Sequence, residues 1–377
     1  MDFSYTEEQN LLRDSVRKWV QDTYVFERRR RQLKEYGGFD PANWAQMAEL
    51  GWLALPFAEE DGGLGGSLLD VTLLTESFGH GLVVEPYLAN VMLAGNIIRR
   101  AGRPAQRAAL LPGLIDGSRQ FAMAHTEPGS RAALNAVEAR AVRDGSGWRL
   151  AGEKALVLNG DVADTFVVVA RTGGGTRDAG GISLFVVDGH AEGLSRRPFR
   201  TFDGFRAAEL ALNDVHVADD ALLGEAGGGL AVLETVIDEA TVALCAEAIG
   251  IMETLYKGTV EYTRTRKQFG VPIASFQVLQ HRMADMFIQH EQARSLLLMA
   301  VIRLAEDDPV VARRAVSALK AYCGKAGRYI GQQSVQLHGG MGMTDEFVVG
   351  HAFKRLTAID VMFGNEDFHL RRFAETA

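Results

Sequence analysis

The stretch from Leu230 to about Thr265 restricts the fold more than any other feature, because it contains no proline and only two glycines, Gly250 and Gly258. At a rise of about 1.5 Å per residue it makes a helix of roughly 50 Å, too long for a lone surface helix and suited to a bundle. Three further helical runs follow. One extends from Ser275 to about Glu306, Pro309 opens another that reaches about Leu337 before Gly339 and Gly340, and a shorter one runs from Glu346 to about Met362. Four helices with short joints predict an antiparallel four-helix bundle.

Towards the N-terminus the spacing is again helical, from Thr6 to roughly Gly117. Leu11, Leu12, Val16, Trp19 and Val20 fall on one face, Thr6 and Gln9 are placed as a capping box, and Asp40 before Pro41 reads as an N-cap opening a helix through Leu50. Between Phe121 and His216 the period changes. Thr165 to Ala170, Ile182 to Val187 and Glu209 to Leu212 are short runs of β-formers, and Asp144 to Gly147 sits as a hairpin turn between Val137–Val142 and Trp148–Leu150. The fold class read from this order is α+β: an N-terminal α domain at 1–118, a middle β domain closed as a barrel or sandwich at 119–225, and a C-terminal helical bundle at 226–377.

Composition narrows the function classes. Forty Lys and Arg against 48 Asp and Glu give a formal charge of −8, which offers no basic footprint for nucleic acid. Met1 to Gln9 carries acidic and polar residues instead of a basic patch before an apolar run, and no uninterrupted apolar stretch of membrane-spanning length follows, so a cytoplasmic chain with no membrane partner is expected. Cys245 and Cys323 lie outside any CxxC or Cys/His cluster, so both read as reduced core residues and no metal site is indicated. The glycine run Gly62 to Gly66 follows no strand, so it reads as a flexible loop and not as a dinucleotide fingerprint. The basic run Arg28 to Arg31 reads as a solvated helix face, although it has the charge to meet an anionic partner.

Two C-terminal segments carry more than pattern. Arg266-Lys267-Gln268-Phe269-Gly270 is followed by Phe276-Gln277, Gln280-His281 and Ala284-Asp285-Met286, and later comes Gln336-Leu337-His338-Gly339-Gly340-Met341-Gly342. With Thr126-Glu127-Pro128-Gly129 and the Asp214-Val215-His216-Val217 strand end, these resemble the acyl-CoA dehydrogenase family along essentially the whole chain, in the family's order and spacing.

The resemblance implies FAD between a β barrel and a helical bundle, with its adenine half crossing to a neighbouring subunit in a dimer or tetramer. Carried over, Arg266 reaches the neighbour's pyrophosphate, Phe269 and Gln277 line that site, and Gln336, Leu337, Gly339 and Gly340 cradle the adenosine end. Thr126, Leu156 and Leu158 fall at the flavin-facing positions of the β domain. A guanidinium can pair bidentately with phosphate, and a Gly-Gly turn lets N–H groups approach an anion. An exposed Arg at a helix end and a Gly-Gly helix stop are the bland readings of the same residues. The implied substrate is an acyl-CoA thioester, with an electron-transfer flavoprotein as acceptor.

The family's reaction needs a carboxylate to take the α-proton while the β-hydrogen leaves as hydride. The usual Glu, in a Tyr-Glu-Gly-Thr stretch, is replaced here by Phe363 within Met362-Phe363-Gly364-Asn365, and the alternative Glu on the first bundle helix by Ala240. Glu239 is the nearest candidate base, though one residue displaces it about 100° around the helix; Asp238 and Glu366 are weaker ones, and Thr241 stands where an Arg is usual. The flavin-facing strand reads Leu156-Val157-Leu158 in place of Trp-Ile-Thr, and the family's continuation after Glu-Pro is missing. His338 reads as a helix-end histidine satisfied by a carbonyl, with general acid or base work as the sharper alternative. Small residues along Leu82 to Gly95 and on the first bundle helix are read as room for a bulky or branched acyl chain.

Intact cross-subunit motifs beside an absent base resemble the small subunit of heteromeric bacterial dehydrogenases of the pimeloyl-CoA or steroid side-chain type. The expected function is FAD-dependent α,β-dehydrogenation of an acyl-CoA with a homologous partner subunit. A non-catalytic partner subunit and a flavin oxidase or monooxygenase of the same superfamily are the alternatives.

Overall fold

A computed structural model describes residues 4–36, 38–306 and 308–375. Its helices are α1 (Glu7–Thr23), α2 (Phe26–Glu35), α3 (Pro41–Glu49), α4 (Leu68–Gly81), α5 (Asn96–Ala101), α6 (Pro104–Ile115), α7 (Gly229–Thr265), α8 (Gln277–Leu304), α9 (Pro309–His338), α10 (Val348–Val361) and α11 (Glu366–Glu375). The strands are β1 (Phe121–Ala124), β2 (Arg140–Asp144), β3 (Gly147–Leu158), β4 (Thr165–Arg171), β5 (Ile182–Asp188), β6 (Leu194–Arg200), β7 (Arg206–Ala218), β8 (Leu222–Leu223), β9 (Lys267–Gln268) and β10 (Val271–Pro272). No described helix is long and apolar enough to cross a membrane. The chain forms two compact units. One holds the residues up to Glu35, Leu68–Val83 and Thr241 onward; the other holds Tyr36–Ser67 and Val84–Ala240.

In the first unit α1 packs on α4, and α8, α10 and α11 pack on α9. The local signals hold: Thr6 Oγ1 accepts from Gln9 N and Gln9 Oε1 from Thr6 N, closing the capping box. Gly250, a weak point for an isolated helix, marks a close crossing. A Cβ there would lie 1.9 Å from the Glu76 carbonyl oxygen, and one on Gly79 of α4 would lie 2.1 Å from that of Glu247, so the α4 and α7 backbones touch directly. Arg29 departs from the expected solvated face of α2: it is buried, and its Nε donates to Leu82 O at 2.7 Å. Cys245 and Cys323 are both free and buried.

The second unit holds one eight-stranded mixed sheet in the order β6-β7-β3-β2-β4-β5-β8, with β1 parallel to β4. The path ends at β6 and β8, so the closure expected for a barrel is not shown among the described residues. Buried side chains of the strands make one core that includes Trp148, Phe166, Phe185, Leu150 and Val215. The expected hairpin pairs Asp144 with Gly147. Three strands of this sheet lie beyond those read from sequence, the two-residue β8 among them. β1 is buried at every position and so shows no alternation, while β6 is arginine-rich and contains Pro198, as an edge strand tolerates. The N-cap at Asp40 is present, with Oδ1 accepting from Ala42 N at 2.9 Å. The glycine loop is tied rather than loose: Gly63, Gly65 and Gly66 donate to Ala58, Phe57 and Leu55 carbonyls, and a Cβ on Gly63 would meet Phe57 O at 2.0 Å.

Candidate functional site

Four short segments carry the candidate residues, and three of them contain a non-glycine residue with a left-handed backbone: Leu156 at φ 48°, Phe269 at 55° and Phe363 at 57°. Such conformations cost of order 1–3 kcal/mol and persist where surrounding structure fixes them, which makes these positions functional candidates on geometry alone.

The first segment joins α7 to α8. β9 and β10 form a hairpin, Gln268 against Val271 and Lys267 against Pro272, with Phe269 and Gly270 as its two turn residues. Both have positive φ, as a type I′ turn requires, yet the first is an aromatic and is 90% exposed. The Arg266 backbone is fixed by bonds from its N to Tyr262 O and from Ile273 N to its carbonyl. Among the described residues the side chains of Arg266 and Gln277 have no hydrogen-bond or ion-pair partner, so both donors are available to a ligand. The hairpin itself was not read from the sequence, because Phe-Gly is a rare form of a turn usually marked by Asn-Gly or Asp-Gly.

The second segment ends α9. Gly339 has φ 60°, and the space where a Cβ on Gly339 or Gly340 would lie is open. Gln336 is exposed, again without a side-chain partner among the described residues, whereas Leu337 is buried in the helical unit. His338 is structural: its ring stacks on Tyr262 at 4.3 Å and its Nδ1–H donates to Ser334 O at 2.8 Å. An exposed turn without Cβ atoms, a guanidinium and two carboxamides without partners suit the phosphates and polar edges of a dinucleotide. These residues fit FAD.

The third segment is in the sheet. Ala155 N donates to Thr126 O at 2.9 Å, joining the loop after β1 to β3. The register of β3 on β7 shifts between Lys154 and Val157, and the bulge presents Leu156, which is 40% exposed, while Leu158 is half-buried. Asn159, also left-handed, donates to Gln120 Oε1 and Phe121 O.

The remaining positions concern the base. Glu239 lies on α7, where Arg100 and, at 3.5 Å, Arg99 pair with its carboxylate and Asn96 Nδ2 donates to it at 3.4 Å. The carboxylate is thus engaged by two guanidinium groups and an amide. Ala240 and Thr241 are fully buried. Glu366 sits 3.5 Å from Arg328. Around Phe363 the loop is held from inside: Lys320 Nζ donates to Asp360 O at 2.8 Å and Gly364 O at 2.6 Å, and His369 Nε2–H donates to Phe363 O at 3.1 Å. Burial pushes the His369 ring down to about 3, so it is neutral, and lowers Lys320 as well. Neither residue was singled out from the sequence, although Lys320 falls between Leu319 and Ala321 on the buried face of α9, where a lone charge is itself a signal.

One acidic cluster lies apart from these segments. Ligand atoms of Glu76, His80 and Glu253 fall within 4.8 Å of one another. Arg17 Nη2 is 3.6 Å from both carboxylates and Lys257 pairs with Glu253, so positive charge is already supplied there by the protein.

Three family models match the chain in succession. Residues 6–118 match the N-terminal domain of acyl-CoA dehydrogenases, 122–215 the middle domain and 227–377 the C-terminal domain. The probable acyl-CoA dehydrogenase YngJ of Bacillus subtilis is 27% identical, over 97% of each chain. Among solved structures, a variant of the Tcur3481-Tcur3483 steroid ACAD superimposes with a TM-score of 0.88 at 29% identity, covering 98% of this chain and 97% of the other. The ChsE4-ChsE5 complex from Mycobacterium tuberculosis gives 0.90 at 28%, covering 100% and 98%. The three domain matches span nearly the whole sequence in order, and the chain therefore belongs to the acyl-CoA dehydrogenase family, FAD-containing oxidoreductases acting on the CH–CH bond of acyl-CoA thioesters.

Proposed function

We propose that this chain is the base-less subunit of a heteromeric acyl-CoA dehydrogenase, which completes the flavin site of a homologous partner in a dimer or tetramer. The observation that carries the reading is the contrast between its two sets of candidate residues. Arg266, Gln277 and Gln336 have no side-chain partner among the described residues, whereas Ala240 and Phe363 cannot accept a proton and Glu239 is held by two arginines. Likeness to the ChsE4-ChsE5 complex and to the Tcur3481-Tcur3483 steroid ACAD supports the same reading.

In it, Arg266 pairs with the pyrophosphate of the flavin bound mainly by the partner, Phe269 and Gln277 line that pocket, and the Gln336 to Gly340 turn receives the adenosine end, Leu337 through its backbone. Thr126, Leu156 and Leu158 face the isoalloxazine edge of a flavin at this chain's own sheet. When bound, FAD accepts the hydride that leaves the β-carbon. The α-proton goes to a carboxylate of the partner, and electrons pass on to an electron-transfer flavoprotein. The segments 1–118, 119–225 and 226–377 act as the three parts of this unit, and the acyl group belongs to the fatty acid or steroid side-chain class.

The test is the FAD content per chain, from visible absorbance before and after denaturation, of the protein purified alone and with a homologous subunit, followed by anaerobic titration with acyl-CoAs. Low flavin alone, restored and bleached in the co-purified complex, is expected. One flavin per chain with full bleaching in the isolated protein would refute the heteromeric reading. Rapid reoxidation of the bleached flavin by air would point to an oxidase instead.

A further inference from the structure

The sheet unit buries one ion pair beside the segments just assigned to flavin. Lys154, on β3, is 1% exposed, and its Nζ lies 2.5 Å from Glu127 Oε1. Glu127 is buried too, and its carboxylate also accepts from Glu138 N at 2.6 Å and Ala139 N at 3.1 Å. Its backbone is clamped by Ser130, whose Oγ accepts from Glu127 N at 3.0 Å and donates to Glu127 O at 2.9 Å. One carboxylate thus fixes both ends of the loop 127–139 and ties them to β3.

The pair brackets two candidate flavin contacts. Thr126 adjoins Glu127, and Leu156 stands two residues beyond Lys154 at the point where the β3–β7 register slips. The Thr126 carbonyl closes the circuit by accepting from Ala155 N. His125 Nε2 lies 3.2 Å from Thr126 Oγ1, and burial, aided by the Lys154 charge, pushes the ring down to about 4 and keeps it neutral. A buried ion pair is weak evidence for stability, since apolar residues of similar volume fill such space as well; what it adds is direction and register. The left-handed Leu156 also needs its surroundings to hold it.

We propose that Lys154 is a positioning residue which, through Glu127, sets the Thr126 carbonyl and the Leu156 bulge in the geometry that receives the isoalloxazine. This rests on the assignment of Thr126, Leu156 and Leu158 to flavin under the proposed function, and the experiment separates the two. The flavin-loaded complex carrying Leu156→Trp serves as reporter, because an indole against the isoalloxazine quenches flavin fluorescence. Absence of quenching in this single variant overturns the flavin assignment itself, and the inference with it. With quenching present, Lys154→Met is expected to relieve it and to weaken FAD binding on the order of tenfold, as loss of one charged anchor implies, while Lys154→Arg retains both. The double change Lys154→Met with Glu127→Gln removes both charges together and leaves no lone buried charge, so it folds if the single change does not; it is expected to show the same relief. Unchanged quenching and FAD affinity in a folded variant lacking Lys154 would overturn the proposal.

Discussion

Gly250 and Gly258 stand in the same helix, and sequence alone assigns them the same effect: glycine to alanine in a helix interior gains about 1 kcal/mol. The tertiary structure reverses the sign at one of them. A Cβ at 250 would lie 1.9 Å from the Glu76 carbonyl oxygen, about 1.4 Å inside an ordinary carbon–oxygen contact of roughly 3.3 Å. The obstructing atom is backbone, so α4 and α7 must separate along their contact, at a cost near the upper end of overpacking, about 3 kcal/mol. Less the propensity gain, Gly250→Ala loses about 2 kcal/mol. Gly258 has nothing within 4 Å of its added Cβ, so Gly258→Ala keeps the gain of about 1 kcal/mol. With an unfolding entropy of about 2.1 cal/mol/K per residue, cooperative melting of this chain moves by about 1.3 °C per kcal/mol. Scanning calorimetry should then place Gly250→Ala about 2.5 °C below the parent and Gly258→Ala about 1 °C above it. Equal or raised melting temperatures for both would refute direct contact between the two helices.

Glu239→Gln should leave anaerobic flavin bleaching by acyl-CoA intact in the complex and lower stability by about 1–3 kcal/mol, because Arg99 and Arg100 lose their charged partner; loss of bleaching with flavin retained would make Glu239 the base. Arg266→Ala should strip flavin from the complex while shifting stability by less than about 0.5 kcal/mol, since no partner within the described chain is lost; flavin content and a melt of the isolated chain together check this. His369 is held neutral, its folded pKa of about 3 lying below the ordinary 6.5. The unfolded chain therefore binds the extra proton first, and the stability this histidine contributes is complete above about pH 6.5 and lost as pH falls towards 3, on the order of 4 kcal/mol in all. His369→Gln should flatten the fall of denaturation midpoint between pH 6.5 and 4; an unchanged slope would show that the ring is not buried neutral.

The amino-acid sequence by itself determined those elements that rest on local signals: the capping box at Thr6 and Gln9, the Asp40-Pro41 helix start, the hairpin at Asp144 to Gly147, and the proline-free run that becomes α7. It also carried the family motifs, whose residue types and order need no knowledge of packing, and it showed Ala240 and Phe363 where a carboxylate is usual. Tertiary structure decided what depends on neighbours distant in the chain. Only there does the Glu239 carboxylate meet Arg99 and Arg100, Lys320 reach the carbonyls of the Phe363 loop, and Glu127 close on Lys154. The same holds for Gly250, whose missing side chain reads as weakness along the helix and as contact across it. Periodicity reports which face of an element turns inward, but the identity of the atom that face meets is a property of the packed chain alone.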